Sequence, residues 1–355
     1  MLHIKVPPDR SGLDSFSPKT TAALRAAGQE TTFGLLWPTA IHRLFESGRL
    51  PLGRRIFRTF LAARFSRRSL RSIEAGDIAW ILSFGVPVAK KAGVEEWLKS
   101  RSIKYLFHIM DDWFDFDFLR EGTIARCKIA DLVGVPTPQL AERVREIVPE
   151  ANVAVFEEPI DLERLAPRPA EFLEEKPVVL WCGNPYNLAH FGESLEVLRS
   201  IRKEIDFSLR VVCGKRPPEA FGQGLDIDWK PFQHEKEGAL ISGSWLGIAP
   251  MSDTGHNRCK GAYKVKTYLA AGLPVVASPV GFQADLVREG DGIGFLPETP
   301  DEWEQVLMRL LQDRELCVAM GNKARSYAER RFSYSVVAPR WAEILRKHFG
   351  SSALC

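Results

Sequence analysis

Short apolar runs recur along this chain, each bounded by glycine, proline or polar residues. They fall at residues 2–6, 31–36, 78–84, 105–110, 130–135 and 151–156, and again at 178–182, 209–213, 245–250 and 275–277. Residues 2–6, Leu-His-Ile-Lys-Val, alternate, but runs such as 78–84, 105–110 and 275–277 are continuous, which predicts parallel strands covered on both faces. Helical spacing lies between them: residues 17–27 behind a Ser17-Pro18 start, residues 95–100, a helix opening at Thr137-Pro138, and residues 193–203. The last stretch gives three helices, at 301–312, 315–331 and 337–348. Strands alternating with helices predict an α/β fold. The alternation restarts after residues 165–177, a Pro- and Glu-rich linker candidate, so the pattern predicts two domains.

Length agrees, since 355 residues exceed most single cores. A net charge of +3 is too small to imply nucleic acid. The six cysteines, Cys127, Cys182, Cys213, Cys259, Cys317 and Cys355, are scattered without a Cys-x-x-Cys pair. That argues for reduced thiols in a cytoplasmic protein and against a zinc site. Charge and proline come too early after Met1 for a signal peptide, and no apolar run approaches the roughly 20 residues of a membrane-spanning helix. Nothing matches Gly-x-Gly-x-x-Gly, which counts against a dinucleotide-dependent oxidoreductase.

The candidate chemistry concentrates in residues 257–281. Gly272 and Pro274 stop a helix there, and a buried strand follows at 275–277. On that helix Lys260, Lys264, Thr267 and Ala271 share one face, with Ala262, Val265 and Leu269 opposite. Residues 254–284 hold four basic side chains, Arg258, Lys260, Lys264 and Lys266, and no Asp or Glu. A basic helix start suits a phosphate. A solvated amphipathic helix reads equally well from the spacing alone.

The stretch resembles the nucleotide-sugar helix of GT-B glycosyltransferases, above all the large retaining family whose bacterial members often read Arg-Gly-Lys-x-x-x-Lys-x-x-Glu-Tyr-Met-Ala-Ala-Gly-Leu-Pro-Val-Val. Arg258, Lys260, Lys264, Tyr268, Ala270, Ala271, Gly272, Leu273, Pro274, Val275 and Val276 stand in the matching places. The similarity covers the C-terminal half closely and the N-terminal half loosely. It implies two Rossmann-like domains facing across a cleft: an acceptor-side domain at 1–165, a nucleotide-sugar domain at 166–334, and a C-terminal helix at 335–355 packing back on the first. It also implies a hexosyltransferase-like, retaining transfer of a sugar from a nucleotide diphosphate donor to a glycan or lipid-linked acceptor, in bacterial envelope or polysaccharide assembly. No cofactor and no metal are expected. Two glutamates common in the family are replaced by Thr267 and Cys259. A hydroxyl binds a ribose more weakly than a carboxylate does. A nucleotide-sugar epimerase and a non-catalytic sugar-nucleotide or glycan binder therefore stay open.

Other candidates follow from position. His108-Ile-Met-Asp-Asp-Trp113 is similar to a Tyr-Asp-x-Met-Asp-Asp-Trp stretch of such enzymes and ends a strand, where ligands bind in open α/β sheets. Asp111 and Asp112 are thus candidates to orient or deprotonate an acceptor hydroxyl, or to cap the next helix. His108 falls on the acceptor side with them, though it reads more simply as a packed histidine than as a catalytic base. Ser11 and Gly12 follow the first strand on the acceptor side, and the Gly183-Asn184 turn offers backbone to donor phosphates. Arg258, Lys260, Lys264, Thr267, Ala271 and Gly272 complete the donor set, with Lys260 also stabilising the leaving diphosphate. Asp115 and Asp117, like Asp226 and Asp228, have metal-motif spacing but read as surface acids. Seven arginines crowd residues 54–71 without an acid. They fit a self-packed helix with outward arginines or a surface for anionic lipid, placing the protein in the cytoplasm with the inner membrane face as an option.

Overall fold

The computed structural model describes residues 1–6, 16–36, 68–82, 93–165 and 173–350. Ser11, Gly12 and most of the arginine run at 54–71 lie outside these described residues. The chain divides into two compact units. The first holds Met1–Pro159, Cys259–Gly261 and Tyr334–Cys355, and the second Ile160–Arg258 and Ala262–Ser333.

Unit one is built on β1 (Leu2–Val6), β2 (Thr31–Leu35), β3 (Ile78–Leu82), β4 (Lys104–His108), β5 (Leu132–Val135) and β6 (Val153–Val155). They form one parallel sheet ordered β2-β1-β3-β4-β5-β6. Its helices are α1 (Pro18–Ala26), α2 (Gly93–Ser100), α3 (Asp117–Ile129) and α4 (Pro138–Ile147). Ser17 and Thr137 cap α1 and α4 through their hydroxyls, each with proline in the first helical turn. β3 is buried along its whole length, as its continuous apolar sequence requires.

Unit two carries β7 (Val178–Cys182), β8 (Ser208–Cys213), β9 (Ile227–Pro231), β10 (Leu246–Ala249), β11 (Val275–Ala277) and β12 (Gly294–Phe295), parallel and ordered β12-β11-β10-β7-β8-β9. Around this sheet lie α5 (Glu193–Ile201), α6 (Tyr263–Ala270), α7 (Gly281–Glu289), α8 (Pro300–Gln312) and α9 (Arg314–Phe332). α10 (Tyr334–Phe349) belongs to unit one, where Trp341 packs on Trp80 and Phe156 with ring centroids 5.2 and 5.8 Å away. β9 and β12 escape the apolar-run pattern because both are half-exposed edge strands, and β12 is only two residues long.

In unit two the chain order reverses between β7 and β10, the switch point where open sheets bind ligands. These two strands pair only at Leu246↔Val179 and Gly247↔Leu180. Past that pair, Tyr268 of α6 closes the gap: its hydroxyl accepts from Cys182 N–H at 2.9 Å and donates to the Ile248 carbonyl at 3.1 Å. Gly247 makes room, since a Cβ there would lie 2.4 Å from the Tyr268 ring. Tyr268→Phe would strand a buried N–H and a buried carbonyl, at about 1–3 kcal/mol. We expect a melting temperature several degrees lower by calorimetry; an unchanged value would show the hydroxyl to be idle.

Candidate active site

In unit two the helix of the basic stretch is shorter than its sequence pattern. α6 begins at Tyr263, and Ala262 before it adopts a left-handed backbone with φ 55°. Alanine there costs about 1–2 kcal/mol of strain, so the break is imposed by surrounding contacts. Arg258 ends a separate turn, Gly255–Arg258, and Lys260 lies between the two in neither helix. Lys260 therefore does not share a helical face with Lys264, as the spacing suggests it should.

Lys264 does lie by the Gly183 turn: its ammonium sits 5.2 Å over the Trp181 ring, and a Cβ on Gly183 would be 3.4 Å from Lys264 Cδ. The carboxyl end of β7 and the start of α6 thus bring backbone and a cation together. The rest of the donor set is placed differently from its sequence reading. Asn184 turns its side chain inward, accepting from Tyr186 N–H at 3.1 Å as the cap of the short 3-10 helix Pro185–Phe191. Arg258 is held by Asp253, one residue before the acid-free window, through bonds of 2.6 and 2.8 Å. Lys266 is no surface cation: it is 1% exposed, between the rings of Phe282 and Phe332 at 5.5 and 5.3 Å. Thr267 is fully buried, and its hydroxyl has no hydrogen-bond partner. Ala271 and Gly272 close α6 at its far end, about 12 Å of helix from Tyr263. Gly272, with φ 71°, is the left-handed stop, and packs against Gly321 of α9.

In unit one the carboxyl end of β4 separates two neighbouring carboxylates. Asp112 is buried; it accepts from Phe114 N–H at 2.9 Å and pairs with Arg143 of α4 at 3.3 Å. Arg143 also bonds Asp115 at 2.9 Å, and these carboxylates push its pKa up against the opposing effect of burial. Asp112 thus organises the loop it sits in. Asp111 is the half-buried member and the one whose charge reaches Lys260. Burial pulls the Lys260 pKa below the usual lysine value, and Asp111 opposes that shift. The segment carrying Lys260 is fixed in unit one: Thr137 donates its hydroxyl to the Cys259 carbonyl at 3.0 Å, and the Cys259 side chain joins the core. Burial raises that thiol to about 12, so Cys259 is apolar filler.

His108 is a core residue and not an acceptor contact. It is fully buried and stacked on Trp80 at 5.6 Å, both ring nitrogens lack partners, and burial lowers its pKa to about 3. Asp115 is tied to Arg143, Asp226 to Lys176 and Ser208, and Asp228 to Arg210 and Lys230. Among the described residues no cluster of His, Cys, Asp and Glu could hold a metal ion. Arg143, Trp181 and Tyr268 escape a sequence reading of the site because their partners lie 31, 83 and 86 positions away.

Known proteins share this architecture. A sucrose-phosphate synthase from Thermosynechococcus elongatus superposes with TM-score 0.73 at 15% identity, covering 99% of this chain and 100% of that one. Anabaena HepE, solved with UDP, gives 0.64 at 14%, covering 98% and 99%. WaaG, a glycosyltransferase involved in lipopolysaccharide biosynthesis, gives 0.60 at 13%, covering 97% and 99%. None of the curated proteins matches the chain. The fold is that of the GT-B glycosyltransferases. Residues 176–313, the greater part of unit two, match the family described as Glycosyl transferases group 1.

Asp112→Asn keeps an acceptor for Phe114 N–H and loses the charge facing Arg143. Partial exposure of Arg143 screens that pair, so we expect a loss of about 1 kcal/mol, read by thermal denaturation. Unaltered stability would remove the structural role given to Asp112.

Proposed function

We propose that this glycosyltransferase takes a nucleotide diphosphate sugar as donor and a glycan or lipid-linked acceptor, in assembly of a bacterial envelope or polysaccharide, with retention at the anomeric carbon. The carrying observation is at the carboxyl end of β7, where the Lys264 ammonium lies over the Trp181 ring beside the Gly183 turn. The donor rests on unit two, where Lys264 and the Gly183 turn offer a cation and backbone to its phosphates. Lys260 stabilises the charge that develops on the departing diphosphate, the role a metal plays elsewhere, so no metal is needed. Asp111 orients or deprotonates the acceptor hydroxyl.

One observation favours a second reading, a sugar-nucleotide binder without turnover: Thr267 and Cys259, which replace the family's two glutamates, are both buried and uncharged. Release of nucleotide from UDP-, GDP-, ADP- and dTDP-sugars separates the readings. Asp111→Asn should then lower turnover by about 10²–10⁴-fold while melting temperature and donor affinity hold; full turnover would remove Asp111 from the chemistry.

Lys260 makes a pH prediction. Its pKa in the free protein is lowered by burial, and a bound diphosphate favours the ammonium. Nucleotide diphosphate affinity should be constant below that lowered pKa and fall as pH climbs above it. Lys260→Arg, charged throughout, should abolish the fall. An identical pH profile in both proteins would detach Lys260 from the phosphates.

A further inference from the structure

The residues that open unit two, 160–165, are tied to both ends of α6, which belongs to the same unit. At its first residue the Tyr263 hydroxyl accepts from Arg164 Nη2 at 3.1 Å. At its last, Arg325 of α9 donates to the Ala270 carbonyl and, at 3.2 Å each, to the carbonyls of Leu162 and Leu165. The other arm of the Arg164 guanidinium pairs with Glu237 of the short helix Glu237–Ile241. The pair is buried, its side chains 9% and 1% exposed. The backbone of Arg164 is fixed as well. Its N–H bonds the Asp161 carboxylate at 3.2 Å, and a Cβ on Gly238 would stand 2.2 Å from its carbonyl oxygen.

Burying two charges is costly, and apolar side chains of similar volume would stabilise a core as well or better. What a forked guanidinium adds over apolar packing is direction, since it fixes a carboxylate and a hydroxyl in one plane. The hydroxyl it fixes is on the residue between Ala262, whose left-handed backbone opens α6, and Lys264. The start of α6 has no side-chain cap, so the bond from Arg164 anchors its first turn. Charge leads to the same place. Burial raises the Cys182 thiol to about 12; Glu237 raises it further and Lys264 opposes, so both charges reach the end of β7. Arg164 offsets a carboxylate that would otherwise compete with an anion for Lys264.

We infer that Arg164 and Glu237 are positioning residues for the donor site: forked between Glu237 and Tyr263, Arg164 sets the first turn of α6 and so aims Lys264 at the Gly183 turn. This rests on the donor reading above and names what holds its cation in place.

Calorimetric titration of the full chain with UDP, GDP, ADP, dTDP and inorganic pyrophosphate tests this. Tyr263→Phe keeps the ring and cuts the link, and should weaken pyrophosphate and the tightest-binding nucleoside diphosphate by about 2- to 30-fold. Arg164→Met with Glu237→Gln removes the pair without stranding a buried charge, and should weaken both ligands by a similar factor. The decisive comparison is made in Lys264→Ala. There Tyr263→Phe should cost no further affinity, because nothing is left to aim. Parent-like affinity in Tyr263→Phe, whatever its melting temperature, would overturn the positioning role and leave the donor reading standing. So would an equal loss with and without Lys264. A parent protein that binds none of the four nucleotides would overturn both.

Discussion

The second unit depends on one hydroxyl. Where the strand order of a parallel sheet reverses, the strands on either side diverge, and each leaves backbone groups that need partners. Tyr268 supplies both partners at once, one bond to β7 and one to β10. Because Tyr268 belongs to α6, filling the gap also sets the height and rotation of the helix that carries Lys264 and Thr267. Gly247 is the matching concession, a residue without a side chain where the ring presses on β10. The ligand-binding edge of the sheet is thus shaped by a packing requirement before any ligand is considered.

Charge is sorted by the same logic. A buried carboxylate must be bonded, and Asp112 is; its neighbour Asp111 is only half-buried. Arg258 is paired with Asp253 on an exposed surface, where the pair contributes little to stability. Lys266 is buried between aromatic rings. Of the four basic residues in the stretch, Lys260 and Lys264 are the half-buried ones.

Strand positions, helix caps and the α/β alternation were legible because they rest on local rules: apolar continuity, Ser or Thr before Pro, Gly272 at a left-handed stop. Tertiary choices were not. Counting intervals of four and three from Lys260 assumes an unbroken helix, and Ala262 breaks it with a conformation that alanine does not advertise. An acid-free window opening at Thr254 stops one residue short of Asp253, the partner of Arg258. His108 was legible as a packed histidine despite its strand-end position, and its place against Trp80 makes it core. Side chains at a sheet's carboxyl edge alternate between faces, and sequence position alone does not say which neighbour covers them.

Thr267 departs furthest from the family pattern. A carboxylate at that place would bring a negative charge to α6 beside Lys264 and would need a cation or several N–H donors to tolerate burial. A threonine hydroxyl brings no charge, is fully buried, and leaves its oxygen unpaired at about 1–3 kcal/mol. The exchange makes the helix start more positive and its interior more apolar. Lys264 is held over the Trp181 ring beside the Gly183 turn, and the threonine three residues on adds no negative charge there. On the donor reading proposed above, loss of a ribose acceptor and gain of phosphate attraction are one substitution seen from its two ends. On that reading the grip on a sugar-nucleotide shifts towards its phosphates and away from the hydroxyls of its ribose.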